Sequence, residues 1–136
     1  RVGVLSIGWD TADELIVRIA IPLRSGREVR FRKVGTRRAQ SISKVVMAVA
    51  WRDGTTARVW RDVRVALGSV AATPIRASRT EAALEGMPPS PEQADRAAET
   101  LAAELTPIDD VRATAWYRKE MIQIITKRIL GNVAQA

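Results

Sequence analysis

The strongest constraint on this chain is an eight-residue run, Lys44 to Trp51 (KVVMAVAW), apolar at odd and even positions alike. A run this short, rich in Val and closed by turn residues, reads as a strand with both faces covered. Asp53-Gly54 follows at once, a hairpin signal because Gly accepts the positive φ of a tight turn. Beyond it, Ala57, Val59, Val63, Val65 and Leu67 alternate with Arg58, Trp60, Asp62 and Arg64. That pattern predicts a half-buried return strand, with a bend or break near Arg61 and Asp62.

Upstream, Glu14 to Ile21 (ELIVRIAI) predicts a first strand that stops at Pro22. Leu23 to Arg27 makes a polar turn around Gly26, and Glu28 to Val34 is a second strand or a strand-like lead-in. Residues 1–23 therefore form a lead-in segment with the first strand, and 24–136 the domain proper. The chain starts at Arg1 rather than Met, which suggests a piece of something longer, and no charged-then-apolar leader supports secretion. No apolar run approaches the roughly 20 residues of a membrane span, so a cytoplasmic setting is the expectation.

The second half changes period. Ser78 with Glu81 predicts a capping box for a short helix ending at Gly86. Ser90, Pro91 and Gln93 predict a stronger start, and Ala94, Ala97, Ala98, Leu101 and Leu105 recur at helical spacing until Thr106-Pro107. Asp109 and Asp110 precede a last helix, about 114–130, striped by Ala115, Met121, Ile122, Ile125 and Ile129. Strands first and helices after make an α+β fold: an antiparallel β-sheet of three to four strands with about three helices on one face. The doubly apolar strand then requires something else, a further domain or subunit, on the opposite face.

With 136 residues, 46% of them hydrophobic, the chain suffices for one domain with a real core. It contains neither Cys nor His. Disulfides, Cys/His metal ligation and Cys- or His-dependent nucleophiles are thereby excluded, and no metal ligands or catalytic residues are assigned. The net charge of +7 points to an anionic partner. Most of those cations are arginine, however, and with the abundant alanine they equally reflect a GC-rich coding sequence.

Arg30, Arg32, Lys33, Arg37 and Arg38 could contact phosphates, yet single-strand binders also need aromatic platforms, and neither the only Phe, Phe31, nor the only Tyr, Tyr117, sits in an RNP-like pattern. Val34-Gly35-Thr36 carries a single glycine, and Gly68-Ser69 with Thr73 is as thin, so neither makes a phosphate loop. Asp109 and Asp110 are explained by helix capping. Arg118 lies within the apolar stripe of the last helix and needs a carboxylate, with Asp109, Asp110 and Glu104 in range.

One resemblance draws these residues together. Phe31-Arg32-Lys33-Val34-Gly35-Thr36-Arg37-Arg38, followed by Ile42-Ser43-Lys44-Val45, resembles the start of the C-terminal domain of the FAD-binding subunit of molybdenum hydroxylases. Xanthine dehydrogenases and carbon monoxide dehydrogenases carry such a subunit or domain. The similarity continues through Asp62 to Gly68, Pro74-Ile75-Arg76, Glu81 to Gly86, Asp109 to Ala113 and Tyr117-Arg118, and Asp13 to Leu23 resembles the segment before the domain. The resemblance implies a sheet with helices packed against it. It also implies a place on an electron path from a molybdenum centre through two [2Fe-2S] clusters to FAD, and on to NAD or another acceptor. Glycine-rich segments for the FAD pyrophosphate would lie in two upstream subdomains, and the molybdenum cofactor and iron–sulfur clusters on partner subunits. Alone, this chain would bind FAD poorly and catalyse nothing. By position, Lys33 matches the family lysine that approaches the flavin ring, and Arg37 to Ser43 the loop that borders it. Some members carry an acid where this chain has Gln40 or Ser41, which leaves the acceptor open. The alternative is a free-standing basic α+β module that binds nucleic acid or another anionic partner.

Overall fold

The computed structural model describes residues 26–37, 41–54 and 58–135. The strand expected over Glu14–Ile21, and with it the segment 1–23, lies outside the described residues. Four strands form one antiparallel sheet in sequence order: β1 (Glu28–Gly35), β2 (Ser43–Asp53), β3 (Trp60–Gly68) and the short β4 (Ile75–Arg76). Three helices follow, α1 (Ser78–Leu84), α2 (Pro91–Glu104) and α3 (Ala115–Gln135). α1 packs on β3, α3 on β2, and α2 bridges the other two helices. The expected α+β architecture, sheet first and helices after, is the one observed.

One face of the sheet makes the core. Val45, Met47, Val49 and Trp51 of β2 and Val63, Val65 and Leu67 of β3 are all buried there. They meet Leu84, Leu101, Leu105, Ile122, Ile125 and Leu130 in the same buried cluster. Each such side chain contributes about 1.5–3 kcal/mol of burial. Ser90 caps α2 as its sequence predicts, its hydroxyl accepting from the Gln93 N–H at 3.2 Å.

Local expectations fail where the chain found a better partner. Ser78 and Glu81 form no capping box: α1 starts after Ala77 without a side-chain cap of its own. Glu104, from the end of α2, instead accepts from the Arg79 and Thr80 N–H groups at 3.0 and 3.1 Å. Glu81 is thereby released to the sheet, where it accepts from the Val65 N–H at 2.8 Å and pairs with Arg76.

β2 and β3 pair as the antiparallel hairpin that Asp53-Gly54 predicts, and the Gly54 N–H donates to the Val59 carbonyl at 2.9 Å. The bend near Asp62 is real. Pairing shifts register between Ala50 and Arg52, and Asp62 adopts φ 50°. That extra residue inverts the strand's parity, as a β-bulge does. Trp60, which strict alternation would put with the polar set, is therefore 1% exposed in the core. The last helix also runs past Leu130 to Gln135, because a Cβ-less Gly131 on an open surface costs a helix only about 1 kcal/mol.

Candidate functional site

The two faces of the sheet differ sharply. From the strand register, the face away from the helices carries Val29, Phe31 and Lys33 of β1, Val46, Ala48 and Ala50 of β2, and Arg64, Ala66 and Gly68 of β3. Phe31 is 65% exposed and Val29 55%. Val46, Ala48 and Ala50 are only half-buried. Among the described residues, then, one face of the doubly apolar strand is covered by helices and the other is a shallow apolar floor.

Lys33 stands on that open face, exposed and in register with Val46, near the end of β1. There the pairing skips a residue: Val34 faces Val45, but Gly35 faces Ser43, leaving Lys44 without a cross-strand partner. The bulge carries the Lys44 ammonium to 5.1 Å from the centre of the Tyr117 ring on α3, a cation–π contact. Two clefts open around this end of the sheet. One of about 650 Å³ is bordered by Lys33, Thr36, Arg37 and Ser41, and one of about 530 Å³ by Arg37, Ser41, Lys44 and Arg112. The structure thus brings Lys33, Arg37 and Ser41 together; Arg38, Ala39 and Gln40 lie outside the described residues. The sequence singled out Lys33 and the loop, but not the Lys44–Tyr117 contact, whose only trace was an isolated Tyr near the start of a helix.

A further groove of about 360 Å³ runs between β1 and α3, with Arg30, Arg32 and Arg128 above Ile125 and Ile129. It shares Arg32, Val34 and Met121 with the cleft beside Lys33, and its charges are of the kind that keep an edge strand from pairing with other chains. Arg30 is also engaged, with Glu28 at 3.2 Å and over the Trp51 ring at 5.5 Å.

Elsewhere several arginines pair with carboxylates. Asp62 pairs with Arg27, with Arg64 at 2.7 Å and with Arg52 at 3.6 Å. Partial burial would raise its pKa, but the hydrogen bond from Arg27 and the three guanidinium charges outweigh that and hold it below the usual value. Arg118, 3% exposed, pairs with Asp110 at 2.6 Å and donates to the Ser69 carbonyl, so it clamps α3 to the end of β3. Asp110 also accepts from the Arg112 and Ala113 N–H groups at 2.8 and 3.1 Å. The Arg112 N–H bond first, then the hydrogen bond from Arg118, and after it the Ala113 N–H bond hold its pKa below the usual value. Asp109 accepts from the Ala115 N–H at the start of α3. Both aspartates are therefore helix and turn caps. Among the described residues no three His, Cys, Asp or Glu side chains gather to hold a metal, and no helix is long and apolar enough to cross a membrane.

Comparison with known proteins bears on the whole chain. A family model described as the CO dehydrogenase flavoprotein C-terminal domain matches residues 30–133. The glyceraldehyde dehydrogenase medium chain of Sulfolobus acidocaldarius is 25% identical over 122 residues, covering 89% of this chain and 42% of that protein. A carbon monoxide dehydrogenase structure from Hydrogenophaga pseudoflava superposes with a TM-score of 0.68 at 30% identity, over 77% of this chain and 36% of its own. Quinoline 2-oxidoreductase from Pseudomonas putida 86 shares the fold, with a TM-score of 0.70 at 23% identity, over 82% of this chain and 38% of its own. The chain spans about two fifths of the length of these relatives.

Proposed function

The chain belongs to the CO dehydrogenase flavoprotein C-terminal domain family, and on that premise we propose that it completes, without enclosing, the flavin site of a molybdenum hydroxylase. The observation that carries the proposal is the loop end of the sheet. An exposed ammonium, Lys33, stands there at the rim of a flat apolar floor and beside a cleft bordered by Arg37 and Ser41. A planar ring with polar carbonyls on one edge suits such a surface: the floor offers van der Waals contact and the rim offers a cation. A dinucleotide's pyrophosphate finds no glycine-rich cradle in this sequence, so that part of FAD must be held by other subdomains.

In this reading Lys33 faces the flavin edge, and Arg37 and Ser41 border it. When bound, FAD supplies the two-electron chemistry that links one-electron iron–sulfur carriers to NAD or another acceptor. Lys33 supplies a fixed positive charge, which favours the form of the ring carrying more negative charge. The loop limits water and acceptor access from its side. The ring takes only the Lys33 end of the open face; the rest of it, around Val29, Phe31, Ala48 and Ala50, seats the upstream FAD-binding subdomains, with the iron–sulfur and molybdenum subunits beyond them, in the cytoplasm. The nucleic-acid alternative is disfavoured by the pairing of Arg27, Arg52, Arg64, Arg76 and Arg118 with carboxylates.

The test is Lys33→Ala in the flavin-loaded protein. FAD content should be unchanged, the flavin potential should become more negative, and reduction should slow by roughly tenfold to a hundredfold, less than a fully buried donor would cost. An unchanged potential with unchanged reduction kinetics rejects the role of Lys33.

A further inference from the structure

Gly35 ends β1 where the chain turns into the 36–42 loop. Its φ is not in the left-handed region, so backbone freedom does not explain a glycine there. Space does. A Cβ on Gly35 would fall on the Ser41 hydroxyl, 3.0 Å from the Ser41 Cβ and 3.3 Å from the Ile42 carbonyl oxygen. Gly26, Gly68, Gly86 and Gly131 meet nothing closer than 3.4 Å at the same test. Among the described residues, no backbone hydrogen bond ties this loop beyond the Gly35–Ser43 pairing. The Ser41 side chain, seated on the bare Cα of Gly35, ties the two ends of the loop together.

We propose that Gly35 and Ser41 are positioning residues: together they form a steric latch that pins the end of β1 to the residues entering β2 and keeps Lys33 and Arg37 on the borders of one cleft. Lys33 lies two residues before Gly35 on the same face of β1, and Arg37 two residues after it. A shift of the latch therefore moves the ammonium and the guanidinium relative to each other. That the cleft borders a flavin rests on the reading above; the latch rests on the packing alone.

The test uses the intact flavoprotein and three variants: Gly35→Ala, Ser41→Gly and the two combined. Gly35→Ala overpacks the seat and Ser41→Gly empties it, so each should speed amide hydrogen exchange across residues 36–44 by about tenfold, with exchange in α2 unchanged. The double variant puts the methyl back where the hydroxymethyl was, and its exchange should return most of the way to the parent rate. Such non-additivity is what direct contact produces. Should Gly35→Ala prove poorly folded, Ser41→Gly, which introduces no clash, carries the test. Parent-like exchange in Ser41→Gly, or a double variant no better than Gly35→Ala, overturns the latch. The flavin potential and the ratio of kcat/KM for two acceptors are read in the same samples. Both should move in the single variants and recover in the double. Altered exchange with both of these unmoved upholds the latch and removes the flavin from its cleft.

Discussion

Strand β2 has two faces built from neighbouring residues, and they behave as if they belonged to different proteins. On one, Val45, Met47, Val49 and Trp51 are sealed beneath helices. On the other, Val46, Ala48 and Ala50 are small and half-buried, beside an exposed Phe31. The helix face is a finished core, whereas the open face, among the described residues, has no helix packed on it. The two ends of the sheet differ in the same sense. At the hairpin end, three arginines converge on Asp62. At the loop end, Lys33, Arg37, Lys44 and Arg112 ring two clefts. Cations cancelled within the fold serve its stability. Those gathered around a cleft are where a ligand's charge would act.

The largest expected effect tests the faces directly. Met47→Ala, on the helix side, should cost about 2–5 kcal/mol by cavity formation. Ala48→Lys, one residue along on the open side, should cost about 1 kcal/mol or less, yet abolish association with the flavin-binding part of the protein. Urea midpoints and co-purified FAD measure the two. Equal losses of stability would erase the distinction between the faces.

Next comes Arg118→Met, which keeps the apolar stem and removes the clamp. Loss of the charge-assisted bond to the Ser69 carbonyl should cost about 1.5–3 kcal/mol, seen as a lower melting temperature. An unchanged melting temperature would mean that the apolar contacts of α3 hold it to β3 unaided.

Much of this contrast was legible in the sequence, for identifiable reasons. The helix stripes and the Ser90-Pro91-Gln93 start depend on residues close in the chain, and they hold in the structure. The failures depend on residues far apart. Glu104 displaced Ser78 as the cap of α1, because the turn that brings α2 back past α1 cannot be seen from residues 78–81. Trp60 was assigned to the wrong face because one extra residue at Asp62 inverts the period-two pattern. At the site, the sequence marked Lys33 and the loop, and noted Gly35 only as a lone glycine. That its purpose is room for Ser41 is a fact of packing six residues away, which no motif encodes.

The smallest effect separates charges cancelled within the fold from charges left at the surface, and it is a pH dependence. The Asp62 carboxyl titrates below its ordinary value of 3.8, because Arg27, Arg64 and Arg52 outweigh its partial desolvation. A depressed native pKa means that the unfolded chain takes up the proton first. The contribution to stability is therefore complete above about pH 4–5 and fades as the pH falls toward the native value. Asn is the informative replacement. It tolerates the φ of 50° at this position about as well as Asp does, so the bulge survives and only the charge is lost. Asp62→Asn should melt below the parent at pH 7, and the difference should narrow steadily between pH 4 and pH 2. A gap that stays constant down to pH 2 would mean that the arginines around Asp62 contribute geometry rather than charge. Charge would then contribute nothing at the hairpin end of the sheet, and the contrast between the two ends would vanish.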